Sequence, residues 1–188
     1  MNKKLAAAAS CGAVLMLVLS GCGDDGEQKT NDWAKKVCDS WEPELKKLEA
    51  ANAEIKRVST ENSKSADVQK TDAAAFQQIS DAYKALAEAL NKAGAPPVKD
   101  GAAAQRAAAE GFTAASKSYA DLKTQMEGLD PADQAKFAED LKGIAGGLKT
   151  AVKGDEEARE RLKVAGVSKA MNAQKGCQVS TAPASTKS

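Results

Sequence analysis

The residue types that could do chemistry in this 188-residue chain are few, because histidine is absent. Without an imidazole, neither a Ser-His nor a Cys-His nucleophile pair can form. The Glu-x-x-His ligands of di-metal helical bundles are excluded for the same reason. The sequence therefore predicts no catalytic residue, no metal site and no cofactor, and we expect a protein that is not an enzyme.

Acidic runs and clustered glycines are the remaining candidates for a chemical site. The acidic runs are Asp24-Asp25, Glu139-Asp140 and Asp155-Glu156-Glu157, and the glycines are Gly143, Gly146, Gly147 and Gly154. Lysines and arginines alternate with the acids, a pattern typical of solvated helix faces or helix caps. The glycines follow no strand, so they do not suggest a phosphate-binding loop. They indicate either close helix contact or a hinge, and no ligand-binding residue is predicted.

The N-terminus has the pattern of an export signal, with two lysines before an apolar run that ends at Leu19. That run is too short for a spanning helix, which needs roughly 20 apolar residues. Leu19-Ser20-Gly21-Cys22 resembles the lipobox of bacterial lipoproteins, which implies that residues 1–21 are removed and that Cys22 carries a diacylglycerol. Two acyl chains anchor a protein stably, so we expect it on the extracytoplasmic face of the cell membrane. The alternative is an ordinary signal peptide with a chance cysteine, which would leave a soluble secreted domain.

The cysteines are Cys11, Cys22, Cys38 and Cys177. Once the leader and the lipidated residue are set aside, Cys38 and Cys177 remain in the folded domain. An even number of cysteines in an exported chain indicates a disulfide. The alternatives are two free thiols or half of a metal site, although no Cys-x-x-Cys and no histidine would complete such a site.

Polar segments flank the predicted domain. Residues 22–30 contain acids and glycine without an apolar period, and we interpret them as a lipid-bearing tether. Residues 178–188 are rich in Ser, Thr, Ala and Pro, which predicts a disordered tail. The folded domain is therefore expected over residues 31–177.

The domain sequence predicts an all-α, alanine-rich antiparallel bundle of four or five helices. Apolar side chains recur at steps of three and four along four stretches, which are Ala34 to Ile55, Phe76 to Leu90, Ala108 to Met126 and Phe137 to Val152. Residues 155–177 have a weaker pattern and either extend the fourth helix or form a fifth. No run alternates with the period of a strand.

Local signals set the expected helix ends. Pro43 falls inside the first helical pattern, where either the helix bends or a new helix starts after a cap at Ser40; the unbroken spacing favours a bend. Asp100 is the expected cap of the third helix, and Asp130-Pro131 the expected start of the fourth.

We interpret the aromatic residues as core. Trp33 and Trp41 lie on roughly one side of the first helix, where an exposed pair would instead stack on a sugar or insert at a membrane surface. The other aromatic residues lie on the apolar stripes and are Phe76, Tyr83, Phe112, Tyr119 and Phe137.

A resemblance to a known group covers most of the chain. The lipobox, the acidic segment after it, the run from Asp32 to Cys38 (Asp-Trp-Ala-Lys-Lys-Val-Cys), Pro43 and the late Cys177 together resemble small secreted lipoproteins of actinobacteria. The resemblance implies an exported helical domain with one pair of cysteines. It supplies no active residue.

Two binding functions are consistent with these features, and an enzyme is the third option, which a cluster of Lys or Glu with burial-shifted pKa values in one cleft would indicate. The net charge of +1 forms no basic patch, so no nucleic-acid partner is expected. The first hypothesis is a non-enzymatic, membrane-anchored lipoprotein whose bundle binds a protein or cell-envelope partner. The alternative is a small-molecule or lipid-binding bundle with a pocket near residues 143–147. An apolar cavity of roughly 300 Å³ or more would favour the alternative, and a solid seam the first hypothesis.

Overall fold

A computed structural model describes residues 24–59 and 63–178. Within these ranges the chain is all-α and has no strand, which confirms the predicted fold class. The helices are α1 (Asp24–Val58), α2 (Ser65–Ala93), α3 (Gly101–Glu127), α4 (Gln134–Val164) and α5 (Ser168–Asn172), followed by a 3₁₀ helix (Lys175–Cys177). No helix in the described ranges is both long enough and apolar enough to cross a membrane. The predicted leader, Cys22 and residues 179–188 of the predicted tail lie outside the described residues.

α1 begins earlier than the sequence predicted. Residues 24–30 were predicted to belong to a tether, but they form the first two turns of the helix. Thr30 is 9% exposed, and its hydroxyl donates a hydrogen bond to the Gly26 carbonyl at 2.9 Å. Glu27 pairs with Lys169 of α5 at 3.1 Å. Residues 24–30 contain no apolar side chain of the size found in a core stripe, so periodicity could not reveal these turns.

α1 continues through Pro43 as one helix. The Ser40 hydroxyl donates to the Lys36 carbonyl at 3.0 Å, so Ser40 lies within the helix and does not cap a new one. α3 begins directly after Asp100, as predicted, but the Asp100 carboxylate makes no capping hydrogen bond. Asp100 adopts a left-handed conformation with φ of 57°, and its backbone carbonyl accepts the first hydrogen bonds of the helix.

The start of α4 also differs from the prediction, since the helix begins at Gln134 rather than at Pro131. The Asp133 carboxylate is the cap and accepts a hydrogen bond from the Lys136 N–H at 3.0 Å. Asp130 instead accepts from the Ala132 N–H at 2.9 Å, which closes a turn before the helix.

Successive long helices pack side by side and run antiparallel. At one end of the bundle, the Trp33 indole donates to the Gly94 carbonyl, which follows α2, at 2.8 Å. At the other end, the Gln69 amide near the start of α2 donates to the Leu129 carbonyl, which follows α3, at 2.7 Å. The backbones of α1 and α4, by contrast, lie close to one another at almost no position. The bundle is therefore wide along the α1–α4 side.

The glycines of α4 serve helix contact at two positions. A Cβ atom on Gly154 would lie 3.1 Å from the Gly111 carbonyl oxygen of α3, and one on Gly147 would overlap the Leu122 side chain. A Cβ atom on Gly143 or Gly146 would meet open space. α4 is continuous across all four glycines, so they do not form a hinge. Close packing against α3 explains Gly147 and Gly154.

The aromatic residues form the centre of the core, as predicted. All seven are at most 7% exposed, namely Trp33, Trp41, Phe76, Tyr83, Phe112, Tyr119 and Phe137. The Trp41 ring packs edge-on against Phe112 with centroids 5.4 Å apart, and its indole donates to the Leu86 carbonyl at 3.1 Å. The alternative of an exposed tryptophan pair is therefore wrong.

The predicted disulfide between Cys38 and Cys177 is present, and the two Cα atoms are 5.0 Å apart. Both alternatives for residues 155–177 are realised in part, because residues up to Val164 extend α4 while α5 and the 3₁₀ helix follow. The 3₁₀ helix lies so close to α1 that a Cβ atom on Gly176 would overlap the Cys38 carbonyl. Gln178, the first residue of the predicted tail, still donates to the Asn172 carbonyl at 3.0 Å.

The double substitution C38A/C177A is expected to lower the free energy of unfolding by about 3 to 5 kcal/mol, because the unfolded chain regains the entropy of a long closed loop. Urea unfolding of the mature chain, followed by circular dichroism, measures this loss. The unsubstituted protein under reducing conditions should behave like the double variant. A loss under about 1 kcal/mol would contradict a major role for this cross-link.

Candidate functional site

Asp72 is the functional candidate that the sequence reasoning missed. It precedes Phe76 by four positions, and Ile79 follows Phe76 by three, so the acid continues the apolar stripe of α2 towards its N-terminus. Its side chain is consequently turned into the bundle. Asp72 is 6% exposed, and its buried Oδ1 atom has no hydrogen-bond partner. An acid in register with an apolar stripe was the signal that could have identified it.

Asp72 lines a cavity of about 320 Å³ on the wide α1–α4 side of the bundle. All four long helices contribute to its wall, and most of the contributing side chains are apolar. The large apolar ones are Ile55 and Val58 of α1, Val68 and Phe76 of α2, Met126 of α3, and Phe137, Leu141, Ile144 and Leu148 of α4. Among the described residues of the wall, Asp72 is the sole ionisable one.

Burial raises the pKa of Asp72 from its ordinary value near 3.8 to about 6. The physical cause is desolvation, since water no longer surrounds the ionised carboxyl group and no cationic side chain of the described wall compensates for the lost water. At neutral pH the folded protein therefore carries a negative charge in a poorly hydrated place, which destabilises it relative to the unfolded chain.

A second acid, Asp155, is buried within the bundle, which corrects the prediction of a solvated position. It is 9% exposed, and both carboxylate oxygens accept hydrogen bonds from Arg159 Nε at 2.8 and 2.9 Å. The reason is again register, because Asp155 continues the spacing of Leu148 and Ala151 along α4. The stripe passes through the fully buried Ala151 rather than through Val152 as expected.

Two tyrosines lie close to Asp155. The rings of Tyr83 and Tyr119 are stacked with centroids 5.7 Å apart. Burial first, and then the negative charge of Asp155, raise the pKa of Tyr119 to about 12 and that of Tyr83 well above its usual range. Both phenols stay protonated at physiological pH. Because Arg159 balances the charge of Asp155, this cluster is internally compensated, unlike Asp72.

A second cleft, of about 580 Å³, lies on the same side of the bundle near the disulfide. Trp41 and Leu45 of α1 face Leu162 of α4 across it. Its rim carries charges of both signs, namely Glu156, Arg159, Glu160 and Lys163. The mixed charge gives this cleft no preference for a cationic or an anionic ligand.

The remaining acidic candidates that the structure describes lie at or near the surface. Glu139 is exposed, and Asp140 pairs with Lys136 at 2.6 Å, which fits the predicted solvated helix face. Within the described ranges, no group of three or more His, Cys, Asp or Glu side chains could hold a metal ion. The predicted lipidation site, Cys22, lies outside the described residues.

Comparisons with models of known protein families, with curated proteins and with solved structures found no match. The candidate function of this chain therefore rests on its own residues, above all on the cavity around Asp72.

The substitution D72N is expected to stabilise the protein above pH 6 by at most about 3 kcal/mol, because it removes the buried charge. The pKa of Asp72 is higher in the folded than in the unfolded chain. The protonated carboxyl group therefore contributes stability that is complete below pH 4 and is lost as the pH rises through 6. Urea unfolding at pH 4, 5, 6 and 7.5 should show the difference between the two proteins growing over this window and then levelling off.

The matched control for this experiment is D121N, which changes an exposed acid of α3. It should leave the pH dependence of stability close to that of the unsubstituted protein. Parallel pH profiles for the unsubstituted protein and D72N would show that the Asp72 carboxyl group is hydrated in solution.

Proposed function

We propose that this protein is a lipid-anchored, extracytoplasmic binding protein that holds a small apolar or amphipathic molecule in the cavity around Asp72. The observation that carries the proposal is the cavity itself, with its volume of about 320 Å³ and its largely apolar wall. This volume is at the lower end of the range for small-molecule sites. On α4 its wall includes Ile144, Ala145 and Leu148.

The energetics of an apolar cavity support a ligand. The cavity opens to solvent, because Ala138 and Ala145 of its wall are exposed, and water therefore covers part of its apolar wall. A molecule that binds there removes this apolar surface from water and stabilises the folded state by an amount that grows with the logarithm of its concentration relative to its Kd.

The surface offers less support for the hypothesis of a protein partner. Among the described residues, Val164 is the one large apolar side chain that is exposed. Many charged side chains pair within their own helix, as Lys35 does with Asp39 at 2.6 Å. Stable protein interfaces have apolar centres depleted of charge, and these helix faces lack that character. The cavity therefore takes precedence over a surface contact.

The proposed lipid anchor rests on the lipobox-like sequence that ends at Cys22. Because α1 begins at Asp24, a lipid on Cys22 would leave almost no tether before the bundle. Ile55 at the cavity follows Asp24 by 31 residues on the same helix, which corresponds to about 46 Å of helix length. The cavity would thus lie far from the anchor, which suits a ligand that arrives from water rather than from the bilayer.

Binding can be tested with 1-octanol, a small neutral amphipathic probe. Its addition should shift the methyl resonances of Ile55, Ile144 and Leu148 in NMR spectra, because these side chains line the cavity. The substitution A145F places a ring at the cavity wall and should weaken binding at least tenfold. A114F, at an exposed α3 position that does not line the cavity, is the control and should bind within about twofold of the unsubstituted protein. Shifts spread over the surface, or binding that A145F leaves unchanged, would overturn the proposed site.

Anchoring can be tested separately with C22S, which removes the proposed lipid acceptor. This variant should move from the membrane fraction to the soluble fraction of cells, since it lacks the thiol that would carry the two acyl chains. C11S, within the predicted leader, is the control and should remain in the membrane fraction. Mass spectrometry of the mature N-terminus should find a diacylglycerol on Cys22, and membrane retention of C22S would contradict the anchor.

A further inference from the structure

The charge balance of the cavity is incomplete. Asp155 is buried to a similar extent as Asp72, but it has Arg159 at 2.8 Å as its counter-ion. Asp72 has no cationic side chain beside it in the described cavity wall. The nearest charged residues along α2, Asp67 and Lys70, are exposed and line a separate surface pocket. A buried acid of this kind needs a partner that the described residues do not provide.

We propose that the ligand of this cavity is a small amphipathic cation, whose ammonium or amidinium group pairs with the Asp72 carboxylate while its apolar part packs against α4. This inference rests on the proposed binding function and adds the chemical class of the ligand. The apolar contacts would be to side chains that already line the cavity, among them Phe137, Ile144 and Leu148.

Charge explains why a cation fits better than other ligands. A cationic donor forms charge-assisted hydrogen bonds, which are roughly twice as strong as bonds between neutral groups. An anion would add repulsion to the desolvation of Asp72. A bare metal ion prefers several oxygen ligands, whereas no three His, Cys, Asp or Glu side chains of the described ranges are placed so that they could hold one.

The size of the cavity also limits which amphipathic cations could bind. A cavity of about 320 Å³ holds a single short alkyl chain or a ring system, but not a membrane lipid with two long acyl chains. The site also lies well along α1 from the proposed anchor. Both observations favour a water-soluble amphipathic molecule with one charged end.

Because Asp72 titrates, the affinity of the cavity for a cation should depend on pH. With a pKa of about 6, the carboxyl group is mostly protonated at pH 5 and ionised at pH 8. Because Asp72 is the sole ionisable residue of the described cavity wall, no other lining group changes charge in this window. Affinity for a cation should therefore be about tenfold lower at pH 5 than at pH 8, while affinity for a neutral ligand should change little.

The experiment compares octylamine, 1-octanol and octanoate, which share one alkyl chain and differ in the charge of the head group. Isothermal titration calorimetry on the mature chain at pH 8 should give octylamine at least a tenfold higher affinity than octanol, and octanoate the weakest binding. In D72N, octylamine should lose this advantage, whereas octanol should bind within about threefold of its original affinity. D121N is the control for a general loss of negative charge and should keep the preference for octylamine.

The outcomes separate the two proposals. If octanol binds in the cavity but octylamine binds no better, the cationic ligand is overturned and the binding function stands. If none of the three probes binds, both are overturned. Should D72N fold poorly, the pH dependence of the unsubstituted protein decides, because a ratio of octylamine to octanol affinity that is the same at pH 5 and pH 8 contradicts a role for Asp72.

Discussion

The disulfide between Cys38 and Cys177 determines how this bundle is closed. It holds α5 and the 3₁₀ helix against the first half of α1. In a closed four-helix bundle, α1 would pack directly on α4, but here the end of the chain lies against α1 instead. Two spaces stay open on the wide α1–α4 side, namely the cleft of about 580 Å³ near the disulfide and the cavity towards the far end of α1.

Small residues produce the contrasting tight side of the bundle. Gly111 and Gly154 bring the backbones of α3 and α4 close together, and Gly147 admits the Leu122 side chain. Such packing gains dispersion energy from many short contacts rather than from large side chains. Larger apolar residues of α4, such as Leu141 and Leu148, line the cavity and are only partly buried. α4 thus packs tightly against α3 with one face and borders the open space towards α1 with another.

The two buried acids occupy the same kind of position on their helices but differ in whether a cationic side chain neutralises them. Asp72 and Asp155 both interrupt an apolar stripe. Arg159 follows Asp155 by four residues and neutralises it on the same helix turn, whereas Phe76 occupies the corresponding position after Asp72. Asp155 belongs to a compensated core cluster with Tyr83 and Tyr119. Asp72 has no counter-ion in the described cavity wall, and this difference underlies the proposed preference for a cation.

The sequence by itself determined the helices, the core aromatic residues and the disulfide, because periodicity and cysteine number are local properties of the chain. It misplaced the starts of α1 and α4, where no apolar stripe marks the helix. It also missed Asp72 as a site and placed Asp155 in solvent. Only the tertiary structure decided which helices touch and which stand apart, because periodicity reports the buried face of one helix and not the distance to its neighbour. The cavity exists because α1 and α4 stand apart.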